Sequence, residues 1–297
     1  MLKRVTTPQL EIAYDEQGDP AGWPVVLLHG FPYDIHAYAE VAPLLTAQGA
    51  RVLTPYLRGY GPTRFLAPTT LRSGQQAALG ADLLALLDAL EIEQAVLAGY
   101  DWGGRAACVV AALYPARARG LVSVNGYNIQ DIASAGRPAD PRKEYRMWYQ
   151  YYLHGDRGAA GLAEQRREFC RLLWSLWSPT WRFDDDVYAR TAAAFDNPDF
   201  VDVVVHSYRH RFGLVEGDPL FDEMERLLSA KPAIGVPTIT LEGDTDGVQP
   251  PGGRAAGSSR FTARHESRIV PNAGHNLPQE APLAFATAVL DIKAWTA

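Results

Sequence analysis

The sequence is poor in sulfur, with two cysteines and three methionines in 297 residues. Cys108 and Cys170 lie in segments that read as different layers, so no disulfide is expected and a reducing, cytoplasmic setting is favoured. No apolar run is long enough to span a bilayer. The opening residues MLKRVTTPQLEIAYDEQGDP alternate polar and apolar side chains, without the apolar core of a secretory leader. Positive charge is not in excess: the net charge is −6, which argues against a general attraction to nucleic acid or anionic membrane. A small neutral molecule is the default partner. There is no internal repeat, no low-complexity segment and no metal-ligand spacing, and nothing in the chain implies a cofactor or an oligomeric state.

What is present is an alternation of short apolar runs with helical patterns. Leu10 to Tyr14 reads as an early edge strand, Val25 to Leu28 as a buried parallel strand, and Arg51 to Pro55, Ala95 to Gly99, Leu121 to Val124, Pro237 to Leu241 and Arg268 to Val270 as further strands. Ser73 to Leu90 carries leucines at three-to-four spacing, and Arg105 to Tyr114 and Pro282 to Trp295 also read as helices. The pattern predicts an α/β fold, a mostly parallel sheet with helices on both faces.

From about Tyr127 the strand-like runs stop, and aromatic, arginine-rich helical sequence continues to roughly Phe212. It contains four of the seven tryptophans: Trp148, Trp174, Trp177 and Trp181. A helical insertion between two sheet strands reads as a lid over the carboxyl edge of the sheet. The expected division is therefore core 1–126, lid 127–215 and core 216–297. Tyr145, Trp148, Tyr149 and Tyr152 are spaced to share one face of a lid helix, and Val201, Val204, Val205, Tyr208 and Phe212 one face of another.

The chemistry centres on Gly99-Tyr100-Asp101-Trp102-Gly103, a G-x-D-x-G turn between a strand and a helix. This is the form of a nucleophile elbow with aspartate as nucleophile. A carboxylate is already ionised at neutral pH and can attack a saturated carbon directly, leaving an ester on Asp101. Hydrolysis of that ester needs a base and an oxyanion hole. His275, in Ala273-Gly274-His275 after the last strand, is the candidate base. Asp246 is the preferred acid partner, with Asp244 in the same turn and Asp131 as alternatives. The loop His29-Gly30-Phe31-Pro32 follows the first buried strand, so the backbone N–H groups of Phe31 and Trp102 are the candidate oxyanion donors.

These motifs resemble the α/β-hydrolases with an aspartate nucleophile, namely epoxide hydrolases and haloalkane or haloacid dehalogenases, over essentially the whole chain. Epoxide hydrolases of this kind carry two lid tyrosines that donate to the epoxide oxygen, and Tyr149 and Tyr208 are similar to those positions. The resemblance implies opening of small organic epoxides to vicinal diols, with His29, Trp102 and Trp148 near the substrate. The alternative it implies is carbon–halogen cleavage by the same triad, with Trp102 and Trp148 as a halide cradle. Haloacid dehalogenases typically have arginine directly after the nucleophile and histidine before the lid tryptophan. Here those positions hold Trp102 and Met147, which disfavours a small carboxylate substrate, although Arg105 keeps a second arginine of that group. A ligand-binding protein that kept the fold without turnover is a further alternative.

Overall fold

The computed structural model describes residues 2–251 and 255–296. Among these, nine strands form one sheet: β1 (Leu2–Thr6), β2 (Leu10–Gln17), β3 (Trp23–Leu28), β4 (Ala50–Pro55), β5 (Arg64–Phe65), β6 (Ala95–Gly99), β7 (Ala118–Val124), β8 (Thr238–Gly243) and β9 (His265–Val270). The order is β1-β2-β4-β3-β6-β7-β8-β9, with β5 paired to β2. From β4 to β9 every pairing is parallel, while β1 and β2 run antiparallel to their neighbours. The central strands β6 and β8 are buried at every residue, as strands in a sheet covered on both faces must be; β6 is apolar throughout, while β8 also buries Thr238, Thr240 and Glu242.

The helices of the core are α1 (Val41–Thr46), α2 (Gln76–Ala89), α3 (Asp101–Leu113), α9 (Asp222–Ser229), α10 (Leu277–Glu280) and α11 (Pro282–Trp295). Helix α2 packs against α3 and α9, and α1 and α10 pack against α11, which makes one helical layer on each side of the sheet. Between the end of β7 and the start of α9 the chain forms a helical insertion: α4 (Pro141–Arg146), α5 (Trp148–Tyr152), α6 (Asp156–Trp177), α7 (Asp185–Ala192) and α8 (Phe200–His210). No helix among the described residues is long and apolar enough to cross a membrane.

Several local expectations are refined. The first aromatic lid helix is two helices, broken at Met147 (φ −95°, ψ 10°), so its expected four-residue face does not form. Tyr145 is exposed, Trp148 and Tyr152 pack on Phe169, and Tyr149 turns inward. Strand β1 and the longest lid helix, α6, were not distinct in the sequence pattern.

The close approach of α3 to β3 depends on Gly103, where a Cβ would lie 2.0 Å from the Leu28 carbonyl oxygen. Gly103→Ala should therefore lower stability by about 1–3 kcal/mol or more, read as the urea midpoint, because backbone cannot retreat as a side chain can. An unchanged midpoint would show that α3 can shift without cost.

Candidate active site

Parallel pairing of β3 with β6 aligns Leu28 with Gly99, so the loops that follow the two strands emerge side by side. Asp101 stands at the turn from β6 into α3 with φ +48°, a left-handed conformation that non-glycine residues seldom adopt. A Cβ on Gly30 would lie 2.4 Å from the Asp101 Cβ, so the neighbouring loop can pass this close only as glycine. The Phe31 amide N–H donates to Asp101 Oδ1 at 2.8 Å. Trp102 follows in the first turn of α3, where backbone N–H groups have no acceptor within the helix.

The other carboxylate oxygen, Oδ2, lies 3.7 Å from His275 Nε2. His275 Nδ1 donates to Asp246 Oδ2 at 2.9 Å. Asp246 is fixed in turn: the N–H groups of Val248 and Gln249 donate to Oδ1 at 2.7 and 2.8 Å, and the Asn125 amide donates to Oδ2 at 3.0 Å. Asp244 is exposed and Asp131 pairs with Lys231 at the surface, so Asp246 is the carboxylate that meets His275.

Burial alone would lower the His275 pKa, but the charge of Asp246, the nearby Asp101 and the hydrogen bond to Asp246 carry it up to about 10. Burial alone would raise Asp101, yet His275, then the charge of Arg105 and the Phe31 N–H, hold it below the usual carboxylate value. Asp246 is lowered in the same way, His275 outweighing its burial. These shifts all favour an imidazolium between two carboxylates at neutral pH.

Two tyrosines of the helical insertion, Tyr149 and Tyr208, lie close by. Tyr149 is 3% exposed and lines a cavity of about 970 Å³ together with Asp101, Arg105, Asn125, Gln150 and Arg211. Its hydroxyl accepts from Gln150 Nε2 at 2.9 Å. Tyr208 does not line the cavity; its ring lies edge-on to Tyr149, with centroids 5.4 Å apart, and also meets Phe31 and Trp102. Burial pushes Tyr149 up to about 12 and Tyr208 well above its ordinary value, with Asp101 adding to both. Both phenols are neutral donors at working pH.

Two expected substrate contacts are corrected. The His29 ring is fully buried, with Nδ1 donating to the Gly30 carbonyl at 3.0 Å and Nε2 accepting from the Leu57 N–H at 3.1 Å. Burial lowers its pKa to about 4, so it is a neutral spacer that shapes the oxyanion loop and has no free nitrogen for a substrate. Trp148 packs within the lid on Tyr152 and Phe169 and is not part of the cavity wall. Trp102 is fully buried and stacks on Phe31; its indole Nε1 has no hydrogen-bond partner.

The sequence pattern did not single out Asn125, Ser178 or Glu280. Asn125 ends β7 with φ +65°, a conformation asparagine tolerates, and this aims its amide at Asp246. Ser178, just past α6, accepts from the His275 N–H at 3.1 Å and donates to Glu280 at 2.6 Å. Glu280 also accepts from the N–H groups of Gly274 and Asn276, so the base loop is held on both sides of His275. The Trp177 carbonyl, at the end of α6, accepts from both Gly247 and His275. A carboxamide after β7 and a Ser/Glu pair around a histidine loop carry no motif of their own, and only the fold brings them together.

A family model described as the alpha/beta hydrolase fold matches residues 24–282. A crystal structure from Klebsiella pneumoniae, described as a candidate epoxide hydrolase, is 46% identical and covers 99% of this chain and 97% of its own, with a TM-score of 0.97. Epoxide hydrolase B of Mycobacterium tuberculosis is 32% identical over 152 residues, 47% of this chain and 42% of that enzyme. A haloalkane dehalogenase of Mycobacterium marinum is 35% identical over 125 residues, 41% of this chain and 40% of that enzyme. The chain thus spans less than half the length of these two curated relatives. With a match that runs from β3 through the helical insertion to the start of α11, the chain belongs to the α/β-hydrolase fold family and is similar within it to epoxide hydrolases.

Proposed function

We propose that the protein hydrolyses small organic epoxides to vicinal diols through an ester on Asp101. The observation that carries this reading is one carboxylate met by the Phe31 N–H and by His275 in a cavity also lined by the neutral phenol of Tyr149, with Tyr208 edge-on to that ring. Opening a strained ring releases an alkoxide, and phenols can donate to it without competing with Asp101 for the carbon. In the first step Asp101 Oδ2 bonds to a ring carbon as the ring C–O bond breaks, with Tyr149 and Tyr208 donating to the departing oxygen.

The ester removes the charge that helped raise the His275 pKa. His275 therefore becomes a base only after the first step, and the proton it releases balances the one the alkoxide takes up. In the second step neutral His275, oriented by Asp246, takes a proton from water, whose oxygen adds to the Asp101 carboxyl carbon. The developing negative charge falls on Oδ1, already within 2.8 Å of the Phe31 amide, with the Trp102 amide as the second donor. Collapse expels the diol, which takes its proton back from His275, and the second proton of the water, left on the Asp101 carboxyl, passes to His275 and restores the carboxylate and the imidazolium.

A halide cradle built from two indoles has less support. Trp102 Nε1 is a buried donor without a partner, but Trp148 packs away from the cavity and supplies no second donor. The helical insertion acts in this reading as the lid, since it contributes Tyr149 and Tyr208.

His275→Gln should accumulate the ester. With styrene oxide, intact-protein mass spectrometry should show a gain equal to the whole epoxide, and turnover should fall by about 10³-fold. Absence of the adduct from this variant, with Asp101 intact, would remove the proposal. Tyr149→Phe and Tyr208→Phe should each slow ester formation by about 10²-fold in single-turnover measurements and leave ester hydrolysis nearly unchanged. Equal effects on both steps would assign the phenols to packing.

The two steps should also separate by pH. Ester formation needs ionised Asp101, whose pKa is lowered, so its rate should stay level through the neutral range. Ester hydrolysis needs neutral His275, so its rate should climb with pH until the imidazole of the ester form has lost its proton. Stopped-flow measurement of both rates against pH checks this, and a hydrolysis rate that falls as pH rises would contradict the role of His275.

A further inference from the structure

Gln150 follows Tyr149 in α5, is 5% exposed, and lines the cavity beside it. Two of its bonds start from one atom: Nε2 donates to the Tyr149 hydroxyl at 2.9 Å and to the Met147 sulfur at 3.1 Å. A thioether has lone pairs and no proton, so it fixes which end of the amide it faces. Turned the other way, the amide oxygen would meet a sulfur with nothing to donate. The break between α4 and α5 brings these groups together, because the Gln150 N–H also donates to the Met147 carbonyl at 2.9 Å and holds the two residues in one turn.

A phenol has one proton to give and an oxygen that can accept. At Tyr149 the accepting side is taken by Gln150, and the Met147 sulfur, 3.9 Å from the hydroxyl, is the sole acceptor for its proton among the described residues. That is a long contact to a weak acceptor. The proton is therefore available to any stronger acceptor that enters the cavity. As it moves toward such an acceptor, negative charge builds on the phenol oxygen and the bond from Gln150 tightens.

We propose that Gln150 is a positioning residue for ring opening: by occupying the acceptor side of the Tyr149 hydroxyl, with Met147 holding its amide in that sense, it commits the phenol proton to the epoxide oxygen. The proposal rests on the epoxide reading above. Gln150 gives up no proton and forms no bond to the ring. It acts through Tyr149, and in the first step alone.

The test follows ester formation and ester hydrolysis separately, with styrene oxide in single-turnover measurements on the intact protein. Gln150→Leu removes the bond and should slow ester formation by about 10-fold, with hydrolysis unchanged. Gln150→Glu keeps the shape but reverses the bond, since a carboxylate accepts and cannot donate. The charged groups that act on Tyr149 are Arg211 just past α8, and Asp101 and Arg105 from the core; the two arginines keep the introduced carboxylate ionised at neutral pH. Ester formation should then fall by about 10²-fold, as in Tyr149→Phe, and recover as pH drops and the carboxyl regains a proton to donate. Added to Tyr149→Phe, either Gln150 substitution should cause no further loss, whereas added to Tyr208→Phe it should keep its full effect. A loss that does not change with pH in Gln150→Glu, a loss that persists in Tyr149→Phe, or equal losses in both steps overturns the proposal. If a melting curve shows Gln150→Leu to be unfolded, the pH profile of the isosteric Gln150→Glu decides. A fluorinated tyrosine in place of Tyr149, followed by fluorine NMR, reads the same bond without substrate: its phenol pKa should rise when Gln150→Leu removes the donor. An unchanged pKa overturns the proposal. A raised pKa, in a protein whose His275→Gln form gains no adduct from styrene oxide, would retain the donation to Tyr149 and reject epoxide hydrolysis.

Discussion

The contact on which the rest of the site depends is the donation from the Phe31 amide to Asp101 Oδ1. It exists because β3 and β6 are parallel neighbours in one fixed register, so that two loops distant in sequence leave the sheet together. It also fixes which oxygen of Asp101 is left to react. With Oδ1 held by backbone, Oδ2 alone faces His275. The left-handed turn at Asp101 and the glycines beneath it keep the carboxylate at that point, and the surrounding sheet, buried on both faces, resists the strain.

The electrostatics of the site follow from its dryness. Four ionisable groups, Asp101, Arg105, Asp246 and His275, are largely or wholly buried within a short reach of one another. In such a place each charge sets the others, and the pKa of His275 is a property of what Asp101 is doing. A site of this kind gains less for stability than an apolar core of the same volume would. In the proposed reaction, what it gains is a base whose proton affinity changes when Asp101 is esterified.

Much of this was readable from the sequence, and the division between what was and what was not has a physical cause. Asp101 and His275 sit in turns whose glycines are demanded by close backbone approach, and such demands leave a local signature. The preference for Asp246 over Asp244 rests on reach, and in the structure the turn after Gly243 brings Asp246 to His275 and leaves Asp244 exposed. His29 and Trp148 were misjudged because residue type says nothing about which way a side chain turns. Both ring nitrogens of His29 go to backbone groups nearby, and Trp148, next to Tyr149 in α5 and about 100° around the helix from it, packs on Phe169. Arg105 carries no local signal beyond its likeness to a second arginine of the haloacid dehalogenases. Only the placement of Arg211, more than a hundred residues later in the chain, makes it unusual.

The Trp177 carbonyl, shared by the amides of Gly247 and His275, bears on how the cavity and the triad are coupled. One end of α6 is joined to the two loops that hold the acid and the base, and Ser178 and Glu280 reinforce the joint. That corner of the helical insertion is therefore bonded to backbone beside both Asp246 and His275. The cavity wall is formed by α4, α5 and the loop that carries Gln130 together with Val248 and Gln249, the same two residues whose amides hold Asp246. A change in the shape of the cavity on that side is thus felt at the carboxylate that orients His275, while one on α4 or the Gln130 loop meets no such bond.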